Sequence, residues 1–283
     1  MDDRLRPLWD FDDLDATERS LQSQLEAETA DAGRAEVLTQ LARVCGLRSD
    51  FGEGEALLDE AASLGRANPT VSTRVDLERG RLRRSGGDPV TARPLFESAF
   101  ALALEARQHF IAADAAHMVA LVAKDRDDVV DWTQRGVELA ELHEDASYWL
   151  GPLLNNLGWE YYEAADLEPA LDAFERALRA RERDSENAAA VEIARYAVGK
   201  TLRALGRADE AIPLLEQAVA WAEVEDAPDG WFHEELAEEY AAVSRPDDAR
   251  QQARLAMPLL EAADPAFADD DERAARLRAL AGE

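Results

Sequence analysis

The residues of this chain best equipped for chemistry are suited to holding another polypeptide rather than breaking bonds. Asn155 and Asn156 stand together ahead of Leu157, with Trp159 and Tyr162 close behind. An Asn side chain donates and accepts at once, so it can pair with the N–H and C=O of a second backbone. Tyr196, Lys200 and Arg203 supply an aromatic face and two cations, and Arg74, Arg81 and Arg84 supply three more. Aromatic faces take apolar side chains, while Arg and Lys take carboxylates, including a free C-terminus.

The bond-breaking alternatives find little support. His109, His117, His143 and His233 are scattered singly, with no HExxH and no metal-ligand spacing. No glycine-rich loop follows a strand pattern, so a phosphate cradle is not expected. The lone thiol, Cys45, cannot form an internal disulfide and sits at a core-facing helical position, where a buried and inert role is expected. Carboxylates such as Asp10, Asp12, Asp13, Asp15, Asp269, Asp270 and Asp271 read as helix-start charges and solvated ends rather than acid/base pairs or a calcium loop. The expectation is a non-enzyme with no cofactor and no metal.

A formal charge of −29 argues against a nucleic-acid or anionic-membrane surface, because phosphate binding needs clustered cations. The chain has no apolar run near the roughly 20 residues that span a bilayer. Its first residues, MDDRLRPLWDFDD, are acidic where a secretory leader would be basic and then apolar. A cytoplasmic protein is expected.

The elements that must position the polar residues are helices. Ala, Leu, Glu and Arg dominate, and Pro and Gly fall mostly between periodic segments. The clearest stretch, residues 153–183, reads as two amphipathic helices joined by a short turn. Gly158, Ala170 and Ala177 are its small residues; Leu157, Tyr161, Leu171, Phe174 and Leu178 are its large ones. Aligned on Gly158, the small position of the first helix recurs as Ala42, Gly80, His117, Gly199 and Ala237, at intervals of 37 to 41 residues. Twelve residues on stand Gly54, Ala92, Val129, Ala170, Ala211 and Ala249; seven further stand Ala61, Ala99, Gly136, Ala177, Ala218 and Ala256. The third unit is the least regular. One hairpin cannot bury its own apolar face, so small residues at close crossings let neighbours stack into a shared core.

Turn residues agree with this register. Ser49-Asp50, Gly86-Gly87-Asp88-Pro89, Ala165-Asp166, Gly206-Arg207 and Arg245-Pro246-Asp247 fall between the two helices of a unit. Pro94 and Pro213 lie in first turns, where a missing N–H costs little, and Pro258 is expected to end or bend its helix. Before the units, Leu21 and Leu25 mark an amphipathic helix with Asp15 or Thr17 as its N-cap. After them, residues 269–282 form a short helix with Leu277 and Leu280 on one side.

Leu157, Gly158, Tyr161, Ala170, Phe174 and Ala177 resemble the tetratricopeptide repeat. So do Val198, Gly199, Leu202, Gly206, Ala211, Leu215 and Ala218, and in the sixth unit Leu236, Ala237, Tyr240, Ala249, Ala253 and Ala256. The period exceeds the usual 34 residues and is similar to the extended repeats of kinesin light chains and of bacterial peptide-sensing regulators. The resemblance implies an all-α protein: a right-handed α-solenoid of about six tetratricopeptide-like hairpins over 34–263. Capping helices over 1–33 and 264–283 complete one continuous domain.

The resemblance also implies that the first helix of each unit lines a concave groove. It would present Arg43, Arg74, Arg81, Arg84, Asn155, Trp159, Tyr162, Tyr196, Lys200 and Arg203. The LNNL run is similar to that of light-chain-type repeats, which makes Asn156 a contact to a bound backbone. The expected groove has six basic and five acidic residues, less acidic than the chain as a whole. The expected function is a scaffold that binds a protein or peptide segment bearing an acidic group or C-terminal carboxylate. A regulatory sensor of a small ligand or signalling peptide, and a structural module forming homo-oligomers through its capping helices, are the alternatives.

Overall fold

The computed structural model describes residues 3–66, 68–183, 187–267 and 270–282. Fourteen α-helices, two 3-10 segments and no strand occur among the described residues. Asp269 and the first two residues lie outside that range. The chain forms two units, Met1–Leu153 and Leu154–Glu283.

In the first unit, α1 (Leu14–Ala27) precedes three hairpins: α2 (Asp31–Leu47) with α3 (Phe51–Leu64), α4 (Pro69–Ser85) with α5 (Pro89–Glu105), and α6 (His109–Ala120) with α7 (Arg126–Leu142). A 3-10 turn at Arg6–Leu8 comes before α1, and a second 3-10 segment, Glu144–Trp149, follows α7. The second unit takes most of α8 (Leu150–Glu163) with α9 (Leu167–Arg183), then α10 (Ala188–Ala204) with α11 (Ala208–Val224) and α12 (Gly230–Ala242) with α13 (Pro246–Ala263). It ends with α14 (Asp271–Ala281). The architecture is an all-α solenoid of tetratricopeptide-like hairpins with a capping helix at either end.

Three of the hairpins are closed where a glycine meets a large side chain. A Cβ built on Gly80 would lie 2.4 Å from the Phe96 ring, one on Gly158 2.5 Å from Phe174, and one on Gly199 2.7 Å from Leu215. Phe96, Phe174 and Leu215 are themselves fully buried, so none has room to withdraw. In the third hairpin the small contact is between Ala116 and Gly136, with Leu153 against the same glycine. His117, expected at that crossing, instead lies half-buried with its ring 5.6 Å from Trp149.

The turns between the two helices of a hairpin need one left-handed residue in five of the six cases: Ser49, Gly87, Ala165, Gly206 and Ser244. Only two are glycines, and short polar residues or alanine accept the strain at the others. Proline behaves as expected at Pro89 and Pro246, which open their helices. Pro258 does not end α13, which continues to Ala263. The cap of α1 is neither Asp15 nor Thr17. Asp13 accepts from the Ala16 N–H, and the Thr17 hydroxyl turns inward to the Asp10 carbonyl. At the other end Asp270 caps α14 by accepting from the Arg273 N–H at 3.0 Å.

Gly158→Ala tests the closing contact. Overpacking against a ring that cannot move costs about 1–3 kcal/mol, and the better helix propensity of Ala returns at most about 1 kcal/mol. The expected result is a lower midpoint in urea unfolding; an unchanged or higher midpoint would show that the crossing is loose.

Candidate functional site

The polar residues singled out above divide between the two units. In the second unit, α8 carries Asn155, Asn156, Trp159 and Tyr162, all half-buried. Trp159 meets Tyr162 edge-on at 5.6 Å and Phe174 at 5.0 Å, so one of its faces is fixed by the hairpin's own core. From α10, Tyr196 packs against Phe232 at 5.3 Å, and the Lys200 ammonium lies 5.6 Å from the Tyr196 ring centre. Burial pushes the Tyr196 phenol up to about 12.

Two cations of α10, Lys200 and Arg203, converge on one buried carboxylate of α12. Lys200 donates to Glu235 at 2.7 Å, and the Arg203 guanidinium donates to the other oxygen of the same group. Burial alone would lower the Lys200 ammonium, but Glu235 holds it above its usual value. Next along α12, Glu239 is buried with one oxygen lacking a partner among the described residues. Burial, reinforced by Glu235, raises its carboxyl above the ordinary range although Arg203 opposes the shift. Glu234 is clamped by Arg273 of α14 at 2.5 and 2.7 Å, and Glu238 by Arg276.

The first unit holds the second group, on α2, α4 and α6. Arg74 is buried against Asp3, at 2.5 and 3.1 Å. Arg81 is held by Glu78 and Asp114, both at 2.5 Å. Arg84 is exposed. The segment before α1 packs against these helices, a contact that no pattern in the sequence signals. The Arg6 guanidinium sits 3.4 Å from the centre of the Tyr148 ring, and Trp9 donates to Gln40 at 3.1 Å. Trp9 and Phe11 stack on each other at 5.1 Å.

Arg43 of α2 differs from its neighbours. It stacks on Trp9 at 4.9 Å and Phe11 at 5.6 Å, and it meets no carboxylate within ion-pair reach among the described residues. Burial and then the charge of Arg81 lower its affinity for the proton, outweighing the pull of Glu78 and Asp114. Arg43, Arg81 and Arg84 together line one open recess of about 200 Å³, with Leu47, Leu82 and Met118 on its apolar side. Three guanidiniums with a hydrophobic floor can take a carboxylate and the side chain next to it.

The histidines are not all solitary. His109, His143 and Asp145 are brought together in the first unit, correcting the expectation of four scattered rings. Cys45 is half-buried, and burial followed by nearby Asp50 and Glu53 raises its thiol, which fits an unreactive side chain. No helix among the described residues is long and apolar enough to cross a membrane.

Stacked helical hairpins that present polar residues from their first helices define a protein-interaction scaffold. The tetratricopeptide repeat model matches residues 151–184 and 193–224, so two repeats of that kind are identified in the chain. Solved structures extend the likeness of fold beyond those segments. BtubC (BKLC) from P. vanneervenii is 19% identical, with 75% of this chain and 92% of that one covered at a TM-score of 0.63. The apo form of RapI is 13% identical, with 95% and 75% covered at 0.72. A STAND protein with a tetratricopeptide repeat sensor from Pyrococcus horikoshii is 12% identical, with 88% of this chain but 40% of that protein covered, at 0.69. At these identities the likeness is one of fold. No curated protein sequence matches the chain.

Two outcomes follow from the α10–α12 pairs. Glu235→Gln strands two partly buried cations; because Lys200 and Arg203 keep some contact with water, the loss should be about 1–3 kcal/mol, below the roughly 3–5 kcal/mol of a fully buried broken pair. Denaturant unfolding reads it, and no loss would mean that the cations find other partners. Glu239 has a folded value raised above its unfolded 4.5. Its favourable contribution is therefore complete below pH 4.5 and lost as pH rises through the raised value. Glu239→Gln should then be at least as stable as the parent at pH 7, with the difference vanishing below about pH 4.5. A variant less stable at pH 7 would contradict this assignment.

Proposed function

We propose that the chain is a non-enzymatic scaffold that binds an acidic protein segment, or a free C-terminus, on the inner faces of its first helices. The observation that carries this reading is the recess lined by Arg43, Arg81 and Arg84. Arg43 has aromatic cover but no carboxylate among the described residues, and a guanidinium held this way gains most from an incoming anion. The segment 3–11 adds support, because it is a stretch of polypeptide already seated on Arg43 of the recess through Trp9 and Phe11.

In this reading Arg84 and Arg43 meet the partner's carboxylate, and Arg81 supplies field while its geometry is kept by Glu78 and Asp114. Arg74 shapes the same face by holding Asp3. In the second unit Asn155, Asn156, Trp159 and Tyr162 bind partner backbone and apolar side chains, with Tyr196, Lys200 and Arg203 beside them. Because Lys200 and Arg203 already share Glu235, a partner there competes for donors in use. A cytosolic setting fits the single unpaired thiol. A sensor role is the second reading, favoured by the likeness of fold to RapI and to the sensor-bearing STAND protein.

The test is affinity capture from native cytosol with the parent chain and with Arg43→Ala/Arg84→Ala, followed by peptide mapping of the captured proteins. Partners captured through acidic or C-terminal segments should fall at least tenfold in the variant while far-UV circular dichroism stays the same. Undiminished capture would remove the recess from the reading. In a parallel arm, Asn156→Ala/Arg203→Ala should abolish partner capture with helical content unchanged. Retained capture would sink the second-unit assignment alone.

A further inference from the structure

We propose that His109, His143 and Asp145 form a binding site for one divalent cation of the zinc, cobalt or nickel class. His109 opens α6, His143 caps the end of α7, and Asp145 stands at the start of the 3-10 segment 144–149, so three separate elements converge. One ligand atom from each lies within 4.8 Å of the others. His109 Nδ1 and an Asp145 oxygen are 3.1 Å apart, and the His109 and His143 rings stack at 3.5 Å with planes 9° apart.

The donor set selects the metal. Two imidazoles and one carboxylate suit zinc, cobalt or nickel, whereas calcium and magnesium ask for six or more oxygens. Metal–nitrogen and metal–oxygen bonds of about 2.0–2.2 Å in a tetrahedron set the ligand atoms roughly 3.4 Å apart. The observed cluster must therefore tighten by about an ångström, and its rings must open from their parallel stack to aim their lone pairs at one point. The positions permit it. His143 lies at a helix end with extended backbone, and Asp145 in a short 3-10 turn, so two of the three ligands stand outside packed helices. Three protein ligands leave a fourth position for water or for a group from outside.

The cluster also has a mechanical place in the fold. Phe110 follows His109, while Tyr148 and Trp149 follow Asp145, and all three aromatics line the recess under the Arg6 segment. A bound ion would tie the start of α6 to the segment that carries Tyr148 and Trp149, fixing one wall of that recess. The site is independent of the acidic-segment reading, because neither imidazole lines the arginine recess.

The test is titration of the intact chain with Zn²⁺ and Co²⁺ in the presence of excess Mg²⁺, which occupies the acidic surface. One equivalent of Zn²⁺ should bind with a micromolar or tighter Kd, Co²⁺ should give visible d–d bands, and Tm should rise. His109→Ala/His143→Ala and, separately, Asp145→Asn should weaken binding at least tenfold. Histidine side-chain NMR of the unaltered chain guards against a misfolded variant: of the four imidazoles, those of His109 and His143 should shift on adding Zn²⁺, while His117 and His233 stay. No binding, binding abolished by Mg²⁺, unchanged affinity in folded variants, or shifts confined to His117 or His233 would each overturn the proposal.

Discussion

The structure depends on one kind of contact, the seating of a large buried side chain against a residue that has almost no side chain. Phe96 on Gly80, Phe174 on Gly158 and Leu215 on Gly199 bring the two helices of a hairpin so close that a single added carbon would collide. Such a crossing is a packing constraint before it is an energy term, since a fully buried ring in a close-packed interior has no alternative position. Once it is set, the remaining apolar face of each hairpin can only be covered by the next one. The side of the first helix turned away from that stack is left for polar residues.

That polar side explains how a chain of charge −29 can keep cations on its first helices. Lys200 and Arg203 share Glu235, Arg81 lies between Glu78 and Asp114, and Arg74 holds Asp3. These pairs join successive first helices, or the N-terminal segment to a first helix, so they fix the register of the stack as well as its charge. Burial of an ion pair contributes little net stability, but breaking one is costly, which makes the arrangement specific more than strong. Arg43 departs from this pattern: aromatic rings cover it where a carboxylate covers the others.

What could be read from the sequence follows from the range of each interaction. Gly158 and Phe174 lie in one hairpin, and their types and spacing repeat along the chain, so helix pairs, turns and the third hairpin's irregularity were all legible. The identity of the residue at that irregular crossing was not, because Ala116 and His117 are adjacent and only the facing Gly136 and Leu153 decide between them. Local hydrogen bonding was partly legible: aspartates were expected at helix starts, yet Asp13 rather than Asp15 caps α1. The residues of the candidate site could be named from chemistry, but not their partners. Arg203 and Glu235, Arg74 and Asp3, and His109 and His143 meet only after hairpins or whole elements have stacked, and no periodicity in the chain encodes those meetings.

The third hairpin shows what an irregular unit permits. Its first helix, α6, has 12 residues where α2, α4 and α10 have 17, its turn lacks the left-handed residue of the other five, and a 3-10 segment follows it. Natural chains hold to local rules where packing alone is at stake, and depart from them most often where a site is being built. Here the shorter helix and the inserted segment bring two imidazoles, a carboxylate, Phe110, Tyr148 and Trp149 close together in the first unit. A regular tetratricopeptide hairpin would have filled that edge with alanines and leucines. The irregular unit, the poorest match to the repeat, therefore carries the greatest concentration of side chains with chemistry to offer.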